Sequence, residues 1–306
     1  MTDVEAEIDC ARRGVLIKPT TLGTIRVTGK DRLTWLNGLV TCDLAPKKPG
    51  DAAYGLAVSK TGKIMDEVYV LVGKEELWVG VRSDHAAELV SSLDRYLVME
   101  DAEIAVADGF EWRMVMGARA AEAVAALRAA GAGAGLVLRG GLATAIVCAP
   151  ESHAAAVVSA IEAACTPVRL ASPAGWERLR VEHGIPEYGI DFDRDNYPQE
   201  PALEKDGVSF EKGCYLGQEA VFMLEKRGHV KKRLVQLVVD GRIAVGDAIA
   251  TKDGVEIGKV TSTIATPSGS LALGYVKYKH ATAGNALLAG QSPAKVTGLL
   301  AIKLDE

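Results

Sequence analysis

The sequence predicts an α+β fold that ends in a small β-barrel, and three observations indicate it. Two β-branched, apolar segments joined by a short turn and followed by an amphipathic segment occur twice, which suggests two related α+β halves. From Leu234 onward the apolar segments are short and are broken repeatedly by glycine, a pattern typical of a small barrel. The length of 306 residues also exceeds that of most single cores. We therefore expect residues 1–230 to form two α+β subdomains, which need not be continuous in sequence, and residues 231–306 to form the barrel.

The elements of the two halves follow from apolar periodicity. Helices are predicted where apolar residues recur every three or four positions, and strands where β-branched and apolar residues form short runs between turn residues. The first half has a strand at 24–27, a helix at 31–40, strands at 65–72 and 76–81 and a helix at 84–98; the second has strands at 136–139 and 142–147 and a helix at 151–165.

A further helix is predicted to begin at Pro173, because Ser172 can cap its amides and proline is tolerated at a first helical position. Gly184 and Pro186 are expected to end it. The chain from 191 to 207 is then polar and rich in turn residues. Because ordered loops of this length usually carry function, we expect this loop to lie near a site.

Composition and charge exclude several functional classes. The net charge of −5 gives no general attraction to nucleic acid, whose nonspecific binding rests on cations that meet phosphates. No apolar run approaches the ~20 residues of a membrane span. The N-terminus is acidic and lacks the basic and apolar segments of a secretory signal. We expect a cytoplasmic protein that binds neither nucleic acid nor membranes.

The five cysteines, at positions 10, 42, 148, 165 and 214, are odd in number and form no Cys-x-x-Cys pair. This spacing argues against a disulfide framework and against a self-contained zinc or iron–sulfur site. We expect no metal site of the chain's own, so any cluster would need ligands from a partner.

The segment Lys-Gly-Cys-Tyr-Leu-Gly-Gln-Glu at 212–219 is the most informative motif. An ammonium group such as that of Lys212 lowers the pKa of a neighbouring thiol, and the thiolate is the reactive form. Gly213 and Gly217 allow close approach to the backbone around Cys214. The alternative is a tight turn that carries a buried, inert cysteine. These eight residues alone leave both interpretations open.

The motif resembles the signature of the YgfZ family of folate-binding proteins, a group linked to tRNA modification and iron–sulfur maintenance and related to the glycine-cleavage T-protein. Further segments similar to this superfamily lie at 31–43, 62–67, 180–191, 258–262 and 273–276, so the resemblance spans nearly the whole chain. It implies two ferredoxin-like halves around a central folate cavity, followed by a C-terminal β-barrel. The implied cofactor is tetrahydrofolate or another reduced folate.

Glu182, within an Arg-x-Glu-x-Gly segment, is the residue that the resemblance most directly links to folate. Adjacent N–H groups of a pterin can donate in parallel to one carboxylate, a geometry that neither an amide nor a hydroxyl reproduces. From residue type alone, Glu182 would be a surface residue at a helix end. Arg180 either orients Glu182 or lies on the helix surface. The resemblance adds Asn37 as a possible ligand contact.

Asp66 and Glu67 are candidates for the acid that, by the resemblance, positions the folate nitrogen that receives the one-carbon unit. Strand alternation sends the two side chains to opposite faces, so only one can point at a ligand. The T-protein-like pattern has two aspartates here, and the extra methylene of glutamate shifts a carboxylate by roughly 1 Å, which matters for catalytic positioning. This departure weakens the case for aminomethyl transfer without removing folate binding.

The remaining candidates are peripheral. Tyr188 could stack on a pterin or pack in the core. Gln218 could bond the backbone of the Cys214 turn or reach a substrate. A basic cluster is either a solvated segment or an anion site for a polyglutamated folate tail. It consists of Lys226, Arg227, Lys231, Lys232 and Arg233, with His229 among them.

Three functional hypotheses remain. The first is a folate-binding protein of the YgfZ type, with Cys214 as the working thiol and with iron–sulfur assembly proteins or client enzymes as partners. We prefer it because the cysteine signature separates this group from the T-proteins. The second is a folate-dependent aminomethyltransferase that acts on a lipoyl carrier protein, and the third is a non-catalytic scaffold that has kept the fold.

Overall fold

The computed structural model describes residues 3–226 and 228–298, which form the mixed α+β fold that the sequence predicts. The helices are α1 (Asp3–Arg13), α2 (Arg32–Asn37), α3 (Ala86–Asp94), α4 (Ala120–Ala129), α5 (Ala154–Ala164), α6 (Pro173–Glu182), α7 (Glu204–Gly207) and α8 (Gln218–Lys226). The strands are β1 (Val15–Pro19), β2 (Leu22–Thr28), β3 (Ala52–Val58), β4 (Ile64–Val72), β5 (Glu76–Arg82), β6 (Glu103–Ala107), β7 (Phe110–Met116), β8 (Gly133–Arg139), β9 (Leu142–Pro150), β10 (Val168–Leu170), β11 (Lys232–Val239), β12 (Ala248–Ala250), β13 (Glu256–Thr266), β14 (Gly269–Lys277), β15 (Ala286–Ala289) and β16 (Ser292–Gly298). None of the helices in this part of the chain has the length and apolar character needed to cross a membrane.

Two compact units divide the chain, and each is assembled from two separate segments. The first unit runs from the start of the chain to Gly175 and also contains Asp206–Gln218. The second contains Trp176–Lys205 and the chain from Glu219 onward. The loop predicted at 191–207 is therefore shared between them.

The first unit contains two five-stranded sheets, one for each predicted half. Their strand orders are β3-β4-β5-β2-β6 and β10-β1-β7-β9-β8. The hairpins β4–β5 and β8–β9, followed by α3 and α5, confirm the two predicted hairpin-then-helix units. Helix α1 and strand β1 are not among the elements predicted from the sequence. Strand β1 pairs with β7 in the second sheet, with Leu16 opposite Met116, so the second half includes the N-terminus.

Trp112 on β7 packs the second sheet against β5 of the first. Its side chain is only 2% exposed, and its indole Nε1 donates to Thr24 Oγ1 at 2.9 Å. The ring lies against Gly80, where an added Cβ would come within 3.0 Å of it. A larger residue at position 80 would therefore separate the two strands.

The second unit contains the predicted barrel, which closes in the order β11-β14-β13-β12-β15-β16. Its interior is filled by aliphatic side chains such as Val235, Leu237 and Val276. Val181 of α6 packs in a separate small cluster with Leu234, Ile264 and Leu273 from the barrel strands. This helix therefore covers part of the outside of the barrel.

Both predicted ends of α6 are confirmed. Ser172 Oγ accepts a hydrogen bond from the Gly175 amide at 3.0 Å, as expected of an N-cap. The helix ends at Glu182, and Gly184 has φ +56°, the left-handed conformation that glycine adopts without strain. Gln236 donates from Nε2 to the carbonyls of Val181 and Glu182, so it satisfies two acceptors that a helix end leaves open.

Candidate functional site

Cys214 is exposed, whereas the other four cysteines are buried. The structure thus excludes the alternative in which the 212–219 motif carries a buried, inert thiol. Within residues 3–226 and 228–298, no group of three or more His, Cys, Asp or Glu side chains has an arrangement that could hold a metal ion.

Lys212 holds the Cys214 turn against the segment that follows α2. Its Nζ donates to the carbonyls of Asn37, Val40 and Cys42 at 2.6, 2.9 and 2.7 Å. An ammonium group has three N–H donors, and all three are used here. The residue is only 9% exposed, and burial lowers the pKa of its ammonium group. This geometry gives Lys212 a structural role in fixing the turn.

The far side of the turn is held by backbone contacts. Gly217 has φ +76°, and a Cβ at this position would lie 2.2 Å from the carbonyl oxygen of Ser59, in the turn between β3 and β4. The Leu216 amide donates to the Gly38 carbonyl at 3.0 Å. Gln218 donates from Nε2 to the Gly213 carbonyl at 3.4 Å, which is the first of its two predicted roles. Cys214 is therefore carried by a turn that is anchored on both sides.

Asn37 also contributes to this anchoring. Its side-chain Oδ1 accepts a hydrogen bond from the Leu44 amide at 2.8 Å, and its carbonyl accepts from Lys212. The side-chain oxygen thus stabilises the loop that follows α2.

Asp66 and Glu67 point to opposite faces of the first sheet, as strand alternation predicts. Asp66 is 1% exposed, and its Oδ2 lies 3.0 Å from Nδ1 of His85, the residue that precedes α3. Burial, together with the nearby Glu67 carboxylate, raises the pKa of Asp66 to about 7. Asp66 thus belongs to the face that packs against α3, and Glu67 is the acid on the opposite face.

Glu67 belongs to a buried polar cluster with two tyrosines and an arginine. Its Oε1 accepts a hydrogen bond from the Tyr54 hydroxyl at 2.7 Å and forms an ion pair with Arg139 Nη1 at 2.8 Å. Arg139 is only 5% exposed, donates to the Tyr69 hydroxyl, and lies over the Tyr54 ring with Cζ 4.0 Å from its centroid. Arg139 is not among the residues predicted from the sequence. The only available signal was a charged residue at the end of an apolar strand.

A cavity of about 370 Å³ adjoins this cluster within the first unit. It lies between the edge strands β3 and β8 and the segment 206–209, and Tyr54, Cys42, Leu136, Leu138 and Asp206 are among its lining residues. Its volume falls in the range of about 300–1,000 Å³ that is usual for small-molecule sites. The lining is mostly aliphatic, with one tyrosine, two aspartates and one lysine.

Glu182 is paired with Arg178, and the role predicted for Arg180 is wrong in both of its alternatives. Arg178 Nε donates to Glu182 Oε1, one helical turn away, so Arg178 is the residue that orients this carboxylate. The Arg180 side chain is 1% exposed, so it does not lie on the helix surface. Residues two positions apart on a helix face different directions, so Arg180 does not meet Glu182. It points instead at Ser262 of the barrel.

Arg180 and Asp191 form the centre of a buried network in the second unit. Arg180 donates to Asp191 Oδ2 at 2.7 Å, to Ser262 Oγ at 2.8 Å and to both oxygens of Glu177. Asp191 also accepts from the Ser262 hydroxyl at 2.7 Å. The start of the polar loop is thereby tied to the barrel through side chains rather than through a strand.

Tyr188 and the basic cluster are the remaining candidates from the sequence. Tyr188 packs edge-on against Phe192, with ring centroids 5.4 Å apart. Lys226 is exposed at the end of α8, and Arg227 lies outside the described residues. Arg233, a member of the basic cluster, forms an ion pair with the buried Glu204. The other lysines of the cluster lie at the end of the barrel.

Two family models match parts of the chain. The GCVT N-terminal domain matches residues 1–134, and the CAF17 C-terminal beta-barrel domain matches residues 231–298. The second match coincides with the closed barrel of strands β11 to β16.

Known proteins are similar to parts of this chain. A chloroplastic protein of Arabidopsis thaliana is 34% identical over 118 residues, which are 38% of this chain and 27% of that protein. The tRNA-modifying protein YgfZ of Vibrio vulnificus (strain CMCP6) is 28% identical over 222 residues, which are 71% of this chain and 67% of that protein. The chain therefore spans about a quarter of the first relative and about two thirds of the second.

A solved structure has the same fold. The glycine cleavage system aminomethyltransferase T from Bartonella henselae aligns with a TM-score of 0.78 over 97% of this chain and 88% of that one. The sequence identity is 21%, so this likeness concerns the fold.

Proposed function

Because this chain combines a GCVT N-terminal domain with a CAF17 C-terminal β-barrel domain and has YgfZ proteins among its homologues, we propose that it is a tetrahydrofolate-binding protein that acts in the assembly or repair of iron–sulfur clusters. Cys214 is the working thiol in this proposal. The partners of the protein in this proposal are iron–sulfur assembly proteins or client enzymes. The name of the Vibrio relative makes tRNA-modifying enzymes one class of client to test.

The observation that carries the proposal is the presentation of Cys214. The thiol is exposed. Lys212 anchors the chain before Cys214 to the segment that follows α2, and Gly217 packs the chain after Cys214 against Ser59. A thiol on a fixed, exposed turn can meet a cluster or a thiol held by another protein, because little of the chain must be ordered for the encounter. A buried thiol could not.

The lining of the cavity supports the folate component. Tyr54, Asp43 and Asp206 are among the residues that line it, and a carboxylate can accept hydrogen bonds from N–H donors. Glu182, which is not among the residues that line this cavity, is proposed separately as a pterin contact on the strength of the family resemblance, and its carboxylate is oriented by Arg178. Bound tetrahydrofolate would supply a carrier for one-carbon groups.

The position of Glu67 favours this role over aminomethyl transfer. A carboxylate that positions the folate nitrogen must have an oxygen directed at the ligand. One of the two Glu67 oxygens, Oε1, is already engaged, because it accepts from Tyr54 and pairs with the buried Arg139. We infer that Arg139 holds this acid as a structural anion.

The proposal is tested by complementation in a strain that lacks the gene. We expect Cys214→Ser to reduce the activity of iron–sulfur enzymes to that of the deletion strain while the protein accumulates normally. Glu211→Gln, at an exposed position three residues earlier, is the matched control and should restore full activity. Full activity with Cys214→Ser would refute the working thiol.

Folate binding and transfer are separated by two assays on one preparation. Calorimetry should show tetrahydrofolate binding that Glu182→Ala weakens, with Glu225→Ala, an exposed residue on α8, as the control. An aminomethyl-loaded lipoyl protein should then give no methylenetetrahydrofolate. Turnover that Glu182→Ala abolishes would establish the transferase instead, and absence of binding to any reduced folate would favour the scaffold hypothesis.

A further inference from the structure

Four lysines meet at one end of the barrel, around a pair of stacked aromatic side chains. We define the barrel-end patch as Lys231, Lys232, Lys277 and Lys279 together with His229 and Tyr278. All four lysines are exposed. Lys232 and Lys277 lie directly opposite each other on β11 and β14, and the Tyr278 amide donates to the Lys231 carbonyl at 3.0 Å.

The two chain segments that form the patch carry positive charges and no acidic residues. Residues 226–233 and 275–281 contain no Asp or Glu, although the chain as a whole has 40 acidic against 35 basic residues. Like charges directly opposite each other on paired strands are unfavourable. The Lys232–Lys277 pair therefore costs stability in the free protein, and a bound anion would offset that cost.

The aromatic groups of the patch supply a flat surface beside the charges. The rings of His229 and Tyr278 are stacked, with centroids 4.5 Å apart and an interplanar angle of 27°. Tyr278 is 41% exposed. Lys232 Nζ also lies 4.6 Å from the centroid of the Tyr275 ring, which adds a cation–aromatic contact beside the stacked pair.

Contrary to the expectation from the net charge of the chain, we propose that the barrel-end patch binds single-stranded nucleic acid, with the lysines on phosphates and the stacked His229–Tyr278 pair against a base. Clustered cations with aromatic platforms are the two components by which proteins bind single strands without reading sequence. A polyglutamated folate tail offers carboxylates but no flat group for the stacked pair. The acidic net charge of the chain does not oppose this binding, because salt screens charges beyond about 10 Å.

The test uses the full chain and a fluorescein-labelled 12-nucleotide RNA or DNA of one mixed sequence, followed by fluorescence anisotropy at several salt concentrations. The double variant K277A/K279A should weaken binding and flatten the slope of log affinity against log salt by about 0.7 per lost lysine contact. Tyr278→Ala should weaken binding with little change of slope, whereas Tyr278→Phe should keep it.

The matched control is K252A/K295A, which removes two exposed lysines elsewhere in the same barrel and should leave binding unchanged. Preference for RNA or for DNA would identify the natural strand, and binding of either supports the patch. Equal losses in the control and the patch variants would overturn the proposal. So would an absence of salt-dependent binding, or a γ-linked pentaglutamate probe that binds at the patch when neither strand does.

Discussion

Lys212 stabilises the fold at the level of a single side chain, because its ammonium group satisfies three carbonyl oxygens that lie in a buried turn. We expect Lys212→Met to lower the free energy of unfolding by about 3 kcal/mol, since the carbonyls lose a charged donor and stay desolvated. Urea denaturation measures this change. Lys252→Met, at an exposed lysine, should change stability little, and a loss below about 1 kcal/mol for Lys212→Met would contradict the assignment.

Asp66 should make the free energy of unfolding fall as the pH rises. Burial and Glu67 raise the pKa of Asp66 from 3.8 to about 7, against an opposing effect of Arg82. The unfolded chain releases this proton near pH 4, so between about pH 4 and pH 7 the folded protein holds a proton that the unfolded chain has lost. Raising the pH through this window therefore favours unfolding.

The corresponding variant is Asp66→Asn, which keeps the shape and removes the titration. We expect it to gain stability relative to the native chain as the pH rises from about 4 to about 7. Urea unfolding of both proteins across this range measures the difference, with His85 present in each. Parallel pH profiles would show that Asp66 does not titrate in this way.

Individual side chains were predictable where a local rule decides them. Alternation along a strand placed Asp66 and Glu67 on opposite faces, and the capping preferences of serine placed the start of α6. Arg139 and Arg180 were not predictable, because each is buried by partners far away in sequence. Arg139 meets Glu67 across two sheets, and Arg180 meets Ser262 in the barrel.

The turn at 212–219 is an element whose conformation depends on one of its two glycines. Gly217→Ala places a Cβ on a residue with φ +76° and within 2.2 Å of the Ser59 carbonyl oxygen. We expect it to cost about 1–3 kcal/mol of stability and to change the reactivity of Cys214 with a thiol reagent under native conditions. Chemical denaturation and the labelling rate measure the two effects.

Gly213→Ala is the matched control for this variant. Nothing lies within 4 Å of a Cβ at position 213, so the added methyl group meets open space. We expect unchanged stability and an unchanged labelling rate. Equal effects of the two substitutions would mean that the Ser59 contact does not hold the turn.

Elements were predicted well where their pattern is local. The predicted strands at 65–72 and 76–81 correspond to β4 and β5, and the helices at 31–40 and 84–98 are shorter at their ends than predicted. The membership of β1 in the second sheet was not predictable, because its partner β7 lies about a hundred residues later. The cavity beside Tyr54 was missed for the same reason, since three distant segments form it.

At the scale of the whole molecule, the chain passes between its two units three times, after Gly175, Lys205 and Gln218. A chain cut at residue 230 would keep every segment of the first unit but would lose the barrel partners of Trp176–Lys205. Arg180 would lose Ser262, and Val181 would lose Leu234 and Leu273. The segment from 176 to 205 should then lose its ordered structure.

Hydrogen–deuterium exchange on residues 1–230 alone measures this loss. Amides of α6 should exchange much faster than in the full chain, because an isolated helix of this length is marginal in water. Amides of β4, whose neighbours all lie within the first unit, are the internal control and should stay protected. Protection of α6 in the shortened chain would show that the segment folds without the barrel.

Closure of the barrel also limits how another protein can engage it. Within the described residues, each strand from β11 to β16 has a hydrogen-bonded neighbour on both sides, although β12 pairs with β13 only between Glu256 and Lys259. Recognition by β-augmentation, in which a peptide adds a strand to an open sheet, is therefore restricted to the second half of β13. Where the ladder is closed, a ligand must be held by side chains and loops, so specificity on this surface can change by point substitution without disturbing the backbone hydrogen bonds.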